Sequence, residues 1–296
     1  MESVRSQEKS LKENFYFVGP NDWALHGRLW RTEQKSKGTI IGVHGYSEHS
    51  LCYAHLADYL NQNSYNSIWL DLPGHGLSQD RRNNIDRFED YILSVDALIE
   101  QAHQRGCPGP YHMFAHSLGG LVAMRFQQTS PNASQIQSLT LSSPLIGIYA
   151  FQNKKILLMK ILSFILPNIT VPNTEEIGEE VLTHDLEMRE KRLADVLIKP
   201  IVTIHWCREY LKARASLFKD VKKLSVPIGF LIAYLARDEL IDGRKWFEIL
   251  FILGFLFGVG LYLYGLKYGS YTSLFIAVIS LISYILSFNK KWTKID

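Results

Sequence analysis

Residues 111–126, YHMFAHSLGGLVAMRF, predict a strand, a tight turn and a helix, and this stretch decides the fold. A turn of the form small-x-Ser-x-Gly holds its serine at the top of a sheet, because only small neighbours permit so sharp a turn. Ala115 takes the first small position, and Gly119 and Gly120 follow Ser117. Ser117 is therefore a candidate nucleophile. Since a serine hydroxyl is a weak nucleophile until a base takes its proton, the rest of the chain must supply that base.

On both sides of this stretch, strand patterns alternate with helix patterns. An alternating segment at residues 14–32, with a turn at Gly19-Pro20-Asn21-Asp22, predicts a β-hairpin. Short apolar runs predict strands, and helical spacing predicts helices; the strands are 38–45, 67–76, 138–148 and 226–236, and the helices are 53–63 and 87–104. This alternation predicts an α/β fold whose mostly parallel sheet has helices on both faces.

The same pattern divides the chain into parts. Residues 1–148 form the first part of the α/β core. Residues 149–224 predict helices without intervening strands, and we interpret them as a helical cap inserted into the core. Residues 225–243 return to the core with a strand and a loop, and residues 244–296 form an apolar helical hairpin and a tail.

Composition excludes several classes of function. The 296 residues carry a formal net charge of +3 with scattered basic residues, so nucleic-acid binding is not expected. The polar start, MESVRSQEKSLKEN, differs from a secretory signal peptide. Cys52, Cys107 and Cys207 have no metal-ligand spacing and predict reduced thiols in a cytosolic compartment. Neither a metal nor another cofactor is expected.

The loop after the strand at residues 38–45 is a second candidate element of the site. Acyl transfer needs hydrogen-bond donors aimed at the oxyanion that develops in the transition state. One donor is the backbone N–H of Leu118, directly after the candidate nucleophile. The loop sequence VHGYSEHS, residues 43–50, supplies the other, and the N–H of Tyr46 is the best candidate within it.

Several separate motifs, in the right order, resemble the lysophospholipase and monoacylglycerol lipase branch of the α/β-hydrolase superfamily. They are HGYSEHSLCYAHLADYL (residues 44–60), LDLPGHGLSQDRRNNIDRFEDYI (70–92) and AHSLGG (115–120). In the insertion, ILPN, LTHDLEM and VTIHWCREYLKA resemble the cap of that branch. The resemblance covers residues 14–242.

This resemblance implies an α/β-hydrolase fold and hydrolysis of carboxylic esters through an acyl-enzyme on Ser117. It implies that the N–H groups of Tyr46 and Leu118 form the oxyanion hole. The substrate would be a lysophospholipid or a monoacylglycerol whose acyl chain enters through the cap. The resemblance also aligns Asp238 with the acid that orients the catalytic histidine. The loop before Asp238 is longer than is usual in the family, so Asp242 is the alternative.

The expected catalytic histidine is missing. The family pattern requires it a few tens of residues after Asp238, and all ten histidines of the sequence precede Asp238. The histidines to be weighed as substitutes are His116 beside the serine, His44 and His75 in loop motifs, and His184 and His205 in the predicted cap. The base is therefore unassigned, and activity is expected to be weak or lost.

Two apolar segments follow the core. Residues 249–266 and 271–288 are each 18 residues without a charge, which is near the lower limit for spanning a bilayer. They predict a transmembrane hairpin. Basic residues before and after the hairpin place both its ends, and the hydrolase-like domain, in the cytoplasm. The alternatives are two buried core helices, or a tail that arises from a frameshifted or fused reading.

Three interpretations of the whole chain remain open at this stage. The first is a membrane-anchored esterase of lysophospholipids or monoacylglycerols. The second is a catalytically inactive, membrane-tethered protein that binds a lipid or a partner without turnover, which the missing histidine favours. The third is a truncated or frameshifted hydrolase with an incomplete sheet, whose open edge would invite aggregation.

Overall fold

The computed structural model describes residues 11–79, 82–147, 169–172, 185–199 and 201–231. The chain divides into two compact units, residues 1–234 and 235–296, and every described residue belongs to the first. Among the described residues, no helix is long and apolar enough to cross a membrane. The predicted hairpin at 249–266 and 271–288 lies outside the described residues.

Nine strands and five α-helices make up the described part. The strands are β1 (Lys12–Val18), β2 (Ala24–Trp30), β3 (Thr39–Val43), β4 (Asn66–Leu70), β5 (Tyr111–His116), β6 (Ile136–Ser142), β7 (Thr170–Pro172), β8 (Ile201–Thr203) and β9 (Ile228–Leu231). The helices are α1 (Ala54–Gln62), α2 (Phe88–Gln104), α3 (Leu118–Thr129), α4 (Leu186–Ala194) and α5 (Ile204–Lys219).

Seven of these strands form one sheet in the order β1-β2-β4-β3-β5-β6-β9. The strands β4, β3, β5, β6 and β9 run parallel, while β2 pairs antiparallel with both β1 and β4. The predicted hairpin, the predicted parallel strands and the predicted helices α1, α2 and α3 are thus confirmed. In a parallel sheet the loops after successive strands meet at the carboxyl edge, which is where the site must be sought.

One expectation for the insertion is wrong. The sequence pattern predicts only helices for residues 149–224, but β7 and β8 pair there as a separate antiparallel sheet. Each has three residues, too few for an alternating pattern to stand out in the sequence. The helices α4 and α5 are present, and the helical cap as a domain stays a prediction.

The two faces of the sheet carry different packing. On one face, α2, α3 and α5 cover a large apolar cluster that includes Ile41, Leu70 and Met113. On the other face, α1 packs over a smaller cluster built on Trp30 and Trp69. Residues that alternate along a strand point to opposite faces, so neighbours such as Leu70 and Trp69 enter different clusters. Helices therefore lie on both faces, as predicted.

The three cysteines are free in the structure, as predicted. Cys107 and Cys207 are buried, and Cys52 is partly buried. Burial raises the pKa of the Cys207 thiol to about 12, so this side chain is a neutral packing group.

The first turn of α3 approaches the end of β3 very closely. A Cβ placed on Gly119 would lie 2.6 Å from the carbonyl oxygen of His44 and would also meet that of Val43. One residue on, a Cβ placed on Gly120 would lie 2.6 Å from the Cβ of Pro144. Only glycine at these positions lets α3 start directly beneath the end of the sheet.

The close contact at Gly119 predicts that a single added methyl group lowers the stability of the fold. We expect Gly119→Ala to lower the free energy of unfolding by about 1–3 kcal/mol, because the backbone carbonyls it meets cannot rotate away. That loss corresponds to a fall in Tm of roughly 2–4 °C for each kcal/mol, measurable by calorimetry. Gly147→Ala is the matched control, since an added Cβ there has no neighbour within 4 Å. Equal Tm values for the two variants would contradict the prediction.

Candidate active site

Ser117 lies in a strained turn between β5 and α3. Its backbone has φ 48° and ψ −113°, a conformation that residues with side chains rarely adopt. Backbone hydrogen bonds hold it: the Ser117 N–H donates to the carbonyl of Ser142 at 2.9 Å, and the Ser117 carbonyl accepts from Gly120 at 2.9 Å, Leu145 at 2.8 Å and Leu121 at 3.4 Å. The predicted strand–turn–helix is therefore confirmed, with Ser117 at its apex.

The loop after β3 lies directly against this turn. A Cβ placed on Gly45 would lie 3.3 Å from the Cβ of Ser117 and 3.0 Å from the ring of His116. Within the described part of the chain, neither the N–H of Tyr46 nor that of Leu118 donates a hydrogen bond. Leu118 follows Ser117 in the chain, and Tyr46 follows Gly45, the loop residue that lies against Ser117. Both N–H groups predicted as oxyanion donors are thus without an acceptor in the described residues.

The side chain of Tyr46 fixes this loop from the other side. Its hydroxyl lies 2.8 Å from the carbonyl oxygen of Asn83 and 2.9 Å from that of Ile201. Its ring packs on Trp206 at 4.3 Å and edge-on against His75 at 5.3 Å between centroids. Burial raises the pKa of Tyr46 well above its usual value, so the phenol stays protonated and can donate.

A buried carboxylate, which the sequence did not single out, joins the loops after β3 and β4. Asp71 accepts hydrogen bonds from the N–H of Ser50 at 2.7 Å and of Leu77 at 2.9 Å, and it lies 2.9 Å from Nδ1 of His26. Burial raises the pKa of Asp71, but the bond with His26, the nearby His44 and these N–H donors hold it well below its usual range. The only signal in the sequence is its place in LDLPGHG.

Two histidines of the loop motifs hold turns. Nε2 of His44 accepts the N–H of Leu72 at 2.9 Å, and its Nδ1 lies 2.7 Å from the carbonyl oxygen of Gly45. Nδ1 of His75 lies 3.0 Å from the carbonyl oxygen of Pro73. Burial lowers the pKa of His44, and it lowers that of His75 to about 3. Both rings are neutral, and both nitrogens of His44 are committed to the loops.

Two further candidate bases have hydrogen-bond partners other than the serine. Nδ1 of His116 lies 3.1 Å from the hydroxyl oxygen of Ser142 on β6. His205 lies on α5, where its Nε2 donates to the carbonyl oxygen of Asp86 at 2.9 Å. Among the described residues, the Ser117 hydroxyl has no hydrogen-bond partner. His116 and His205 are thus not brought to Ser117 as its base.

One further candidate base and both candidate acids lie outside the part of the chain that the structure describes. His184, Asp238 and Asp242 all lie outside the described residues. The structure therefore forms the turn at Ser117 and brings the loop at Gly45 against it, while the role of the Tyr46 and Leu118 N–H groups as oxyanion donors stays a prediction. The acid of Asp238 or Asp242 stays a prediction, and the base stays unassigned.

Comparisons with known proteins show the family and the fold of the chain. The family model described as serine aminopeptidase, S33, matches residues 34–249. Phospholipase YtpA of Bacillus subtilis is 32% identical over 226 residues, which covers 74% of this chain and 83% of that protein. Lysophospholipase L2 of Escherichia coli is 23% identical over 251 residues, covering 77% and 71%. The crystal structure of Paleococcus ferrophilus monoacylglycerol lipase is similar in fold, with a TM-score of 0.61 at 24% identity, covering 70% of this chain and 77% of that one.

The buried imidazole of His75 predicts a pH-dependent stability. Its pKa is about 3 in the folded chain and about 6.5 when exposed, so its stabilising contribution is full above pH 6.5 and is lost as the pH falls. Each pH unit below about 6.5 costs about 1.4 kcal/mol, so His75→Gln should flatten the fall in unfolding free energy between pH 8 and pH 5 by about 2 kcal/mol.

The measurement is urea-induced unfolding of both proteins at pH 8, 6.5 and 5. At pH 8, where His75 is neutral whether folded or unfolded, the two proteins differ by the loss of ring packing and of the contact with the Pro73 carbonyl. That difference sets the baseline for the other two values. Parallel pH profiles for the wild type and the variant would show that the His75 ring is not held neutral.

Proposed function

The chain belongs to the serine aminopeptidase S33 family of α/β-hydrolases, and from this premise we propose that it hydrolyses carboxylic esters of lipids through Ser117. The observation that carries the proposal is the strained turn at Ser117, with the uncommitted N–H groups of Tyr46 and Leu118 beside it. A serine held in this way, next to paired donors, is the arrangement that acyl transfer requires.

In the proposed reaction the Ser117 hydroxyl gives its proton to the unassigned base, and the Ser117 oxygen attacks the ester carbonyl carbon. The carbonyl π electrons move onto oxygen, and the N–H groups of Tyr46 and Leu118 stabilise that oxyanion. The tetrahedral intermediate expels the alcohol, which takes up a proton, and an acyl-enzyme remains on Ser117. Water then attacks the acyl-enzyme in the same way and releases the fatty acid.

The residue that acts as the base in this reaction is unassigned. Family resemblance supports Asp238, or Asp242, as the acid that orients a histidine, yet the sequence contains no histidine beyond His205. A template enzyme that lacks one member of its triad keeps only about 10³–10⁴-fold acceleration over water. We therefore expect slow turnover driven by oxyanion stabilisation and substrate binding.

The names of the relatives support the substrate class. Those relatives are a phospholipase and a lysophospholipase, and the similar fold is that of a monoacylglycerol lipase. We propose a lysophospholipid or a monoacylglycerol as the substrate, entering beneath a cap formed by residues 149–224.

We also propose that residues 249–266 and 271–288 anchor the chain in a membrane. The support is their length and lack of charge, and the basic residues on either side of the hairpin. Those flanking charges favour the cytoplasmic side for the hydrolase domain. Such an anchor would keep the catalytic domain beside a pool of lipid substrate.

Ser117→Ala tests the catalytic proposal. A fluorophosphonate probe is expected to label the wild type slowly, with labelling abolished in Ser117→Ala, since the phosphonyl group bonds to the activated serine oxygen. Hydrolysis of a monoacylglycerol and of a lysophosphatidylcholine should fall to background in the same variant. Ser138→Ala is the control, because Ser138 lies near the start of β6, where its hydroxyl bonds with His112.

The same assay separates the rival functions. Lipid binding by the wild type, with neither labelling nor hydrolysis over background, would replace the enzyme by a binding protein without turnover. The observation that favours this second candidate is that, in the described part of the chain, the Ser117 hydroxyl has no histidine partner.

The membrane proposal has its own test. The full chain expressed in a cell should stay in the membrane fraction after extraction with alkaline carbonate, because an inserted apolar hairpin is not released by raised pH or salt. Gly258→Arg places a charge near the middle of the first span and should weaken this retention. Release of the wild type by carbonate would overturn the anchor.

A further inference from the structure

A carboxylate next to the oxyanion loop connects that loop to the inserted segment. Glu48 accepts hydrogen bonds at Oε2 from the N–H of Gly45, 3.0 Å away, and from the hydroxyl of Tyr53, 2.7 Å away. Its Oε1 accepts from the guanidinium of Arg192 at 3.1 Å. The Glu48 and Arg192 side chains are only 16% and 18% exposed, so water screens this pair less than it would at the surface.

The residues on either side of Glu48 bind the same segment. The hydroxyl of Ser47 donates to the carbonyl oxygen of Lys199 at 2.8 Å. Nε2 of His49 lies 2.7 Å from the carboxylate of Asp195. Ser47 has φ 53°, so its backbone needs such partners to keep an unfavourable conformation. Three consecutive loop residues are therefore clasped by residues 192–199, and we call this set of contacts the loop clamp.

The opposite charges of Glu48 and Arg192 stabilise the contact between the two sides of the loop clamp. Burial raises the pKa of Glu48, but nearby His116 and Arg192 and the hydrogen bond from Tyr53 bring it below its usual value, so Glu48 is ionised. Removing Arg192 would leave a largely buried carboxylate without its cation from the insertion, and a buried charge that loses its partner is costly. The loop would then shift to give Glu48 access to water.

A shift of the loop that carries Glu48 would also move the candidate oxyanion donor relative to Ser117. Glu48 holds the N–H of Gly45, and Gly45 lies so close to Ser117 that an added Cβ would be 3.3 Å from the Ser117 Cβ. The peptide that follows Gly45 carries the N–H of Tyr46. A donor acts on an oxyanion only when it is aimed at the position the oxyanion will occupy, and a misplaced group can cost about 10²-fold in rate. The position of Tyr46 N–H thus depends on Glu48.

We propose that Glu48 and Arg192 are positioning residues for the Tyr46 oxyanion donor, so that full reactivity of Ser117 requires residues 192–199 to be docked on the loop. This inference rests on the proposed function. It assigns to the insertion a part in transition-state stabilisation, in addition to the part in lipid entry proposed for the cap.

The test is the rate of Ser117 phosphonylation by a fluorophosphonate on the full chain, resolved into the saturating rate and the half-saturating probe concentration. We expect Arg192→Ala and Glu48→Gln each to lower the saturating rate by about 10- to 100-fold. The half-saturating concentration should stay within about threefold, because the probe's binding contacts are kept. Arg192→Lys should recover part of the rate, since it keeps the charge but not the planar fork.

Lys191→Ala is the matched control. It removes one positive charge from the same helix, α4, but Lys191 is exposed and pairs with Glu187 one turn away. Its rate should equal that of the wild type. The double variant Glu48→Gln, Arg192→Ala should be slowed by less than the product of the two single effects, because the two side chains share one contact.

The possible outcomes separate the two proposals. An unlabelled wild type overturns the proposed function, and this inference with it. A labelled wild type with Arg192→Ala at the same rate, or with Lys191→Ala equally slow, overturns this inference alone. A change confined to the half-saturating concentration also overturns it, because the insertion would then act on binding. Thermal melts check folding, and if Arg192→Ala does not fold, Arg192→Lys and the double variant decide between the same outcomes.

Discussion

The conformation of Ser117 depends on the close approach of α3 to the carboxyl end of β3. A helix that starts immediately after a strand must turn within one residue, and here that residue takes a positive φ of 48°. Gly119 makes the approach possible, because any side chain there would enter the space of the His44 carbonyl. The strain is held by bonds to Ser142 and Leu145, which lie at the end of β6 and beyond it. The position of the half-buried serine is thus a result of packing between three parallel strands and one helix.

The same edge of the sheet concentrates buried polar groups that satisfy one another. Asp71 takes N–H groups from the loops on either side of it, and His44 reaches from the end of β3 to the N–H of Leu72. Each of these groups would cost several kcal/mol if it were buried without a partner. The loops after β3 and β4 therefore hold their shape together, and this shared framework places the Gly45–Tyr46 peptide beside Ser117.

Residues of the insertion contact the loop that follows β3. Tyr46 bonds with the carbonyl oxygen of Ile201 in β8 and packs on Trp206 in α5. The loop with the candidate oxyanion donor therefore has partners in the insertion as well as in the core. The loop clamp adds charged contacts to the turn after α4. In this arrangement the sheet supplies the strained serine, and the insertion stabilises the loop that faces it. Under the proposed function, lipid entry and transition-state stabilisation then share one structural element.

By itself, the sequence determined the order of strands and helices, the turn at Ser117 and the family. Those features follow from residue periodicity and from short motifs, and both depend only on residues that are close together in the sequence. Tertiary structure alone decided which side chains meet. Glu48 and Arg192 are 144 residues apart, and nothing in either local sequence predicts their contact. It also showed that the rings of His44 and His75 serve the turns, because a hydrogen bond depends on where two loops meet and not on the type of residue present. The short strands β7 and β8 were missed for the same reason, since their pairing comes from docking across the insertion and not from a repeating pattern.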